Sequence, residues 1–223
     1  MNFKDKELII FDFDGTLINS VPDLTLAINT MLSHFELPEV PVEEVAPFIG
    51  NGARTLVKRA LIHSMKDAEI TDEFFEEAFA FYLKSYGEVP CKDTYLYPSV
   101  VETLEYLDKN AYKMVICTNK PYAFIEPLLD QLNIKQFFKI WIGEDSLAET
   151  KPNAAPLLHL ANEMNTSTEK CIMVGDSKND ILAAQNAKMD SIGLTYGYNY
   201  NEHIADYNPT IVVDDFAQLK NIF

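Results

Sequence analysis

The residues with the clearest chemical potential are two acids that directly follow a short apolar run near the start of the chain. Leu8–Phe11 has the pattern of a buried strand, and Asp12 and Asp14 come immediately after it. Side chains alternate along a strand, so these two carboxylates should point the same way at its carboxyl end. Carboxylates this close repel each other, and a divalent cation removes the conflict. The spacing predicts a magnesium site with one oxygen left to attack a substrate, although Asp-x-Asp-Gly is also an ordinary turn sequence.

Other polar side chains stand at or near the ends of later apolar runs. Ligands bind at the carboxyl ends of the strands in an open parallel sheet, so these side chains should meet the first two acids there. They are Thr118, Asn119, Lys151, Asp176 and Asp180.

Each of these residues also has a purely structural interpretation. Thr118 or Asn119 could start the following helix, and Lys151 could be a solvated loop lysine. Ser177 and Asp180 fit a capping box. That interpretation weakens when the residues are taken together, because it must explain why acids, a hydroxyl and a lysine share one sheet edge.

Phosphoryl transfer would use all of these groups. One carboxylate would attack phosphorus, a second would donate and then accept a proton, and Asp176 would complete the oxygen shell that magnesium prefers. Thr118 and Lys151 would hold the phosphoryl oxygens, over which charge spreads in the transition state.

The elements that must position these groups alternate between strands and helices from residue 97 onward. We predict strands at 113–117, 138–142, 171–174, 191–194 and 211–213, and helices at 99–110, 121–133, 153–165 and 178–187. From about 17 to 88 no strand is expected, and apolar residues recur at helical spacing. The predicted fold is α/β: a doubly wound, parallel-sheet, Rossmann-like core (1–16 and 97–223) with an inserted α-helical cap domain (17–96).

Composition limits the possible partners. The net charge of −16 argues against nucleic acid, whose phosphates need a basic surface. No apolar run approaches the roughly 18 residues of a membrane span. Cys117 and Cys171 lie within apolar runs, as expected of buried thiols in a reducing cytoplasm. A phosphorylated substrate would need a local positive centre from a metal ion and a few lysines or arginines. We expect a cytoplasmic monomer or dimer that acts on a small phosphorylated metabolite.

Four motifs together resemble the haloacid-dehalogenase-like superfamily, in the branch with a helical cap after the first motif. They are Asp12-Phe13-Asp14-Gly15-Thr16, Thr118-Asn119, Lys151-Pro152, and Gly175-Asp176-Ser177 through Asp180. The resemblance implies that Asp12 is the nucleophile that forms an aspartyl-phosphate and Asp14 the general acid/base. It also implies Mg²⁺ held by Asp12, the backbone carbonyl of Asp14 and Asp176, with Asp180 supporting the metal's waters or Lys151. Dehalogenases of the superfamily lack the second acid, so the resemblance implies a phosphatase or phosphotransferase.

Further segments are similar to bacterial phosphoglycolate phosphatases, which convert 2-phosphoglycolate to glycolate and phosphate. They are 19–24, 49–53, Thr118-Asn119-Lys120-Pro121, 144–147 and 193–200. Ser99 and Lys188 depart from this pattern, because relatives usually have glycine there. A non-glycine residue at Lys188 requires either left-handed geometry or a different helix end.

The cap should select the substrate. Gly50-Asn51-Gly52 is a turn that opens a helix, whose first amides suit an anion. We expect Asn51, Gly52 and Arg54 to meet the substrate carboxylate, with Lys58 and Arg59 as alternatives. Lid closure is expected about hinges near 17–20 and 92–97.

Other functions share these motifs or part of them. A related phosphatase could act on a sugar phosphate, a nucleotide or pyrophosphate, and a phosphosugar mutase would keep all four motifs. A signalling phospho-receiver combines similar residues but lacks a helical insert, and a non-catalytic scaffold would be expected to have lost an essential acid or lysine.

Overall fold

A six-stranded parallel sheet forms the centre of the protein in the computed structural model, which describes residues 2–66, 69–88 and 91–223. In chain order the described strands are β1 Leu8–Phe11, β2 Ile18–Asn19, β3 Tyr95–Leu96, β4 Lys113–Cys117, β5 Trp141–Ile142, β6 Cys171–Gly175, β7 Asp190–Leu194 and β8 Ile211–Val213. The sheet has the order β5-β4-β1-β6-β7-β8, and every pairing within it is parallel. The first strand therefore lies in the middle, where both faces are covered.

Helices cover both faces of this sheet and also fill the region between β2 and β3. The described α-helices are α1 Val21–His34, α2 Val42–Val45, α3 Ala53–Met65, α4 Asp72–Glu88, α5 Val100–Lys109, α6 Ile125–Gln131, α7 Ala155–Glu163 and α8 Lys178–Ala187. One face packs on α5, α6 and the 3₁₀ helix Phe216–Asn221, and the other packs on α7 and α8. The predicted doubly wound α/β architecture is confirmed.

Side-chain alternation along β1 explains how one strand serves both layers. Ile9 and Phe11 belong to the cluster on one face, whereas Leu8 and Ile10 belong to the cluster on the other. Phe13 packs with Phe11, as the alternation predicts. The near-continuous apolar run is what a strand buried on both faces requires.

The helices α1 to α4 share an apolar cluster of their own. It buries Leu24, Ile28 and Leu56, among others, and Tyr82 and Tyr86 from α4. The periodic apolar positions on α1, α3 and α4 form its interior, as expected for amphipathic helices packed on one another. The helical segment predicted between 17 and 88 is thus present as a separate packing unit.

The structure corrects three details of the predicted elements. Ile18–Asn19 forms a short strand that pairs antiparallel with Tyr95–Leu96, where no strand was expected. The predicted strand 138–142 is reduced to Trp141–Ile142, because Phe138 ends a 3₁₀ turn and packs into the core. The helix predicted from 121 begins as a 3₁₀ turn, and its α-helical part starts at Ile125.

Two departures from the glycine pattern adopt left-handed geometry. Ser99 has φ 65° and Lys188 has φ 56°, each at a helix end. Of the two alternatives for Lys188, left-handed geometry and a different helix end, the structure shows the first. A residue with a Cβ atom has a higher conformational energy in that region than glycine. The two cysteines predicted to be buried thiols, Cys117 and Cys171, are buried and free. No described helix is long and apolar enough to cross a membrane.

Candidate active site

The three central strands of the sheet bring the predicted residues together at one edge. Phe11 pairs in register with Ile116 of β4 and with Val174 of β6. Asp12, one residue beyond Phe11, therefore lies between the ends of these two neighbouring strands. Thr118 follows the end of β4 and Asp176 follows the end of β6.

The carboxylate of Asp12 is held by one oxygen and open at the other. Its Oδ1 accepts a hydrogen bond from the backbone amide of Phe13 at 2.7 Å and contacts Lys151 Nζ at 2.9 Å. Its Oδ2 makes no hydrogen bond within the described part of the chain, and Asp12 lines a pocket at the sheet edge. One oxygen is thus fixed by the protein, while the second has no partner among the described residues.

Lys151 is clamped between two acids in the interior. Its Nζ lies 2.6 Å from Oδ1 of Asp180, in addition to the contact with Asp12. Burial disfavours the charged lysine, but Asp12 and Asp180 outweigh that effect and raise the pKa of Lys151. Asp180 also accepts hydrogen bonds from Ser177 in a capping box at the start of α8. The capping and ion-pair interpretations of Asp180 therefore both hold.

The carboxylate of Asp176 is buried and bonded at both oxygens. Thr16 Oγ1 donates to Oδ1, and the amide of Tyr198 donates to Oδ2, each at 2.6 Å. Gly15 has φ +89°, and any side chain there would collide with this carboxylate. The turn after β1 therefore requires glycine in order to place Asp176 beside Asp12.

Three carboxylates form a cluster that fits a divalent cation. One oxygen each from Asp12, Asp176 and Asp180 lies within 4.8 Å of the other two, and all three residues are buried. Burial and the neighbouring acids raise the pKa values of Asp12 and Asp176. Hard oxygen donors suit Mg²⁺, which would remove this repulsion. The cluster contains the expected ligands Asp12 and Asp176 together with Asp180, which the resemblance had placed beside the metal; Asp14, expected to contribute its backbone carbonyl, adds no side-chain oxygen to it.

Asp14 also lines the pocket and is paired with a lysine that the sequence interpretation did not assign. Lys120 Nζ lies 3.1 and 3.2 Å from the two oxygens of Asp14 and is buried, while Ser20 Oγ donates to Oδ1 at 2.5 Å. The only sequence signal for Lys120 was its place in the segment Thr118-Asn119-Lys120-Pro121. Lys120 supplies part of the local positive charge that a chain of net charge −16 needs in order to bind a phosphorylated substrate.

Thr118 and Asn119 both lie at the pocket, but their bonding differs. Thr118 is buried and its Oγ1 accepts a hydrogen bond from the amide of Lys120 at 3.2 Å. The amide group of Asn119 donates to the carbonyls of Gly50 and Lys151, and its Oδ1 accepts from the amide of Lys151. Asn119 therefore fastens the Lys151 loop and the cap turn to the end of β4.

The cap forms the apolar wall of the pocket. The lining residues from this side are Leu24, Ile49, Gly50, Gly52, Ala53, Leu56, Tyr82 and Tyr86. Asn179 of α8 donates to the carbonyl of Gly50, as Asn119 does. The turn before α3 is thus tied to the core from two directions.

The three cap residues predicted to meet the substrate do not lie together at this pocket. Gly52 lines it, but the side-chain oxygen of Asn51 accepts a hydrogen bond from Arg59 and faces a neighbouring groove. Arg54 pairs with Glu76, and its guanidinium lies over the rings of Phe75 and Phe79. Its side chain is 52% exposed, and it lines a different surface groove.

Glu144 occupies the position where the sequence predicted an anionic substrate group. Its Oε2 accepts a hydrogen bond from the amide of Ala53, the first residue of α3, at 3.0 Å. Burial raises the pKa of Glu144 to about 7, and the hydrogen bond from Ala53 opposes that rise. A side chain on Gly52 would collide with this carboxylate.

Comparison with known proteins identifies the family. The family model for haloacid dehalogenase-like hydrolases matches residues 9–194. The chain belongs to this family. It is 42% identical over 220 residues to a phosphoglycolate phosphatase of Colwellia psychrerythraea, covering 98% of this chain and 97% of that one. It is 45% identical to one from Haemophilus influenzae, covering 97% of each.

A solved structure has the same fold over nearly the whole chain. It is the crystal structure of a predicted phosphoglycolate phosphatase from Haemophilus somnus, with a TM-score of 0.94, 41% identity and 98% of each chain covered. The resemblance inferred from the four motifs is confirmed, as is the prediction that the chain is an enzyme, a phosphatase.

Proposed function

We propose that this protein is a Mg²⁺-dependent phosphomonoester hydrolase that converts 2-phosphoglycolate to glycolate and phosphate through an aspartyl-phosphate on Asp12. The observation that carries the proposal is the state of Asp12, a pocket-lining residue whose Oδ1 is held by Lys151 and Phe13 while Oδ2 has no hydrogen-bond partner among the described residues. We propose 2-phosphoglycolate as the substrate because the relatives are phosphoglycolate phosphatases by name.

Asp12 Oδ2 attacks phosphorus and the ester oxygen leaves in line with it. Asp14, which also lines the pocket, donates a proton to that oxygen and later takes one from the water that hydrolyses the aspartyl-phosphate. Lys151 and Thr118 stabilise the charge on the phosphoryl oxygens, and Asn119 positions the loop that carries Lys151.

Asp12 and Asp176 hold Mg²⁺ in this proposal, with the backbone carbonyl of Asp14 as a further ligand. Asp180 supports the bound waters and Lys151, and its presence in the acidic cluster makes it a candidate direct ligand. The ion supplies positive charge to the phosphoryl group and offsets the repulsion between the carboxylates.

Phosphate release across a panel of substrates tests the proposal. With Mg²⁺ present we expect kcat/KM for phosphoglycolate to exceed that for glucose and ribose phosphates, nucleotides and pyrophosphate by at least about tenfold. Activity should disappear in Asp12→Asn and without metal. A higher kcat/KM for another compound of the panel, with activity still lost in both controls, would mean that this compound is the substrate. No phosphate release from any compound would overturn the hydrolase function in favour of a mutase or scaffold.

The remaining predictions extend this proposal. We keep a core of 1–16 and 97–223 and a cap of 17–96, with lid hinges near 17–20 and 92–97. Met1, Asp67, Ala68, Val89 and Pro90 within those boundaries lie outside the described residues. The antiparallel pair β2 and β3 lies at both hinges and supports their position. A cytoplasmic location and a monomer or dimer acting on a small metabolite complete the proposal.

A further inference from the structure

The pocket needs a second anion-binding group if its substrate carries a carboxylate as well as a phosphate. The expected group was the amino end of α3, but the amide of Ala53 there already donates to Glu144. A substrate carboxylate at that position would face the Glu144 carboxylate when it is ionised. An anion-binding group elsewhere in the pocket wall would avoid this repulsion.

Among the described residues that line the pocket, only Lys120 is basic. Its side chain is only 2% exposed, so its charge is poorly screened by water and attracts a nearby anion more strongly than a surface lysine does. The ammonium group has three N–H donors. Two of them bind the two oxygens of Asp14, which leaves the third for a ligand. Lys151 is also buried, but it contacts Asp12 and Asp180 and is assigned to the phosphoryl oxygens in the proposed mechanism.

Tyr86 contributes a polar group with no partner at the same wall. The residue is 1% exposed and lines the pocket, and its hydroxyl makes no hydrogen bond within residues 2–66, 69–88 and 91–223. Lys120 Nζ lies 4.8 Å from the centre of the Tyr86 ring. A buried hydroxyl without a partner is uncommon in a stable protein and is explained when a ligand supplies the partner.

Resting on the proposed function, we propose that Lys120 and Tyr86 form the carboxylate subsite and restrict the enzyme to phosphate esters whose carboxylate is attached to the ester-bearing carbon. No contact from Arg54 or from the amides at the start of α3 is then required. The class includes 2-phosphoglycolate and 2-phospholactate.

Distances within the pocket favour this short spacing. Asp14 must approach the ester oxygen to within about 2.7 Å in order to protonate it. Lys120 Nζ is 3.1 Å from Asp14, so the ammonium lies within about 6 Å of that oxygen. A carboxylate on the ester-bearing carbon begins two covalent bonds from the ester oxygen, which leaves room for one hydrogen bond to Lys120. Each additional methylene group moves the carboxylate away from this contact.

Kinetics with three matched substrates test the subsite: phosphoglycolate, ethyl phosphate, which lacks the carboxylate, and 3-phosphonooxypropanoate, which is one methylene longer. In Lys120→Met we expect kcat/KM for phosphoglycolate to fall about 100-fold and that for ethyl phosphate to fall no more than about tenfold, the smaller loss being the effect of Lys120 on its partner Asp14. The wild-type preference for phosphoglycolate over the longer ester should disappear. Lys139→Met, at an exposed position away from the pocket, is the matched control.

Tyr86→Phe gives a second test that does not depend on removing a charge. We expect the KM for phosphoglycolate to rise about tenfold with little change for ethyl phosphate. The thermal stability of the free enzyme should not fall, since the deleted hydroxyl has no partner to lose.

The outcomes separate this inference from the function on which it rests. Equal losses for phosphoglycolate and ethyl phosphate in Lys120→Met would mean that Lys120 only positions Asp14, which would overturn the subsite. So would full retention of the phosphoglycolate preference in both variants. If the wild-type enzyme released no phosphate from phosphoglycolate, the proposed function would fail first and the subsite with it.

Discussion

The two sides of the pocket differ in how they are built. On the core side, charged groups are buried and their polar atoms have defined partners, as for the carboxylate oxygens of Asp176 and Asp180 and the ammonium group of Lys151. On the cap side the wall is mostly apolar, and its polar groups are few: a glycine turn, the Tyr82 hydroxyl and the unpartnered hydroxyl of Tyr86. A fixed polar network suits chemistry that every substrate shares, whereas an apolar wall with few polar groups suits selection among substrates.

This difference predicts that variants of the acids and lysine at the strand ends lose turnover for all substrates, whereas variants of groups at the cap wall, including the core residues Lys120 and Glu144 that reach it, alter discrimination or stability. The following substitutions test that division, beginning with the largest expected effect.

Asp12→Asn should lower kcat by at least about 10³-fold for every substrate, because it removes the attacking carboxylate. The variant should fold at least as stably as the wild type in metal-free buffer at pH 8. The native pKa of Asp12 is raised, so its ionised form destabilises the folded state, and asparagine relieves this. Phosphate-release assays and urea unfolding measure the two effects. Substantial residual turnover would show that Asp12 is not the nucleophile.

Removal of Mg²⁺ with a chelator should abolish phosphate release, and added Mg²⁺ should restore it. Added Mg²⁺ should also raise the Tm of the wild type, because a ligand that binds only the folded state stabilises it. Asp176→Asn should lose both responses. Asp206→Asn, at an exposed position, is the charge-matched control. An unchanged Tm response in Asp176→Asn would remove Asp176 from the metal site.

Glu144→Gln should change the pH dependence of stability more than it changes turnover. The folded protein keeps a proton on Glu144 up to about pH 7, whereas the unfolded chain loses it near pH 4.5. The free energy of unfolding of the wild type should therefore fall as pH rises through this window, by about 1 kcal/mol after discounting for solvent exposure.

Glutamine removes the contribution of Glu144 to that slope, whereas the contribution of Asp12 stays in both proteins, and it retains an acceptor for the Ala53 amide. Urea titrations from pH 5 to pH 8 without metal measure the difference between wild type and Glu144→Gln. Glu149→Gln, in an exposed loop, is the control. Parallel curves for wild type and Glu144→Gln would contradict the burial of this carboxyl group.

Arg54→Ala should have the smallest effect. Its guanidinium is engaged by Glu76 and two phenylalanine rings on the outer face of the cap, so kcat/KM for phosphoglycolate should change less than about twofold. Glu76→Ala should give the same result. A rise of KM specific to phosphoglycolate would return Arg54 to the substrate site.

The strand ends could be predicted from the sequence because strand periodicity and local motifs carry that information. Asp12 and Asp176 each follow a short apolar run, and parallel strands must bring such ends together. The pairing of Lys120 with Asp14 could not be predicted, because it joins residues 106 positions apart and lysines are usually solvated. Glu144 reaches Ala53 across 91 positions for similar reasons. The position of Arg54 away from the pocket could not be predicted either, because a helix has several faces and packing on Phe75 and Phe79 decides which of them meets the pocket.

The most direct test of the central claim is to trap the covalent intermediate. The enzyme would be mixed with phosphoglycolate and Mg²⁺, quenched in acid within one turnover, digested and mapped by mass spectrometry. The account predicts one added phosphoryl group on the peptide that contains Asp12, and none in Asp12→Asn. Phosphorylation of a different residue, or steady turnover with no protein-bound phosphate at any quench time, would contradict it.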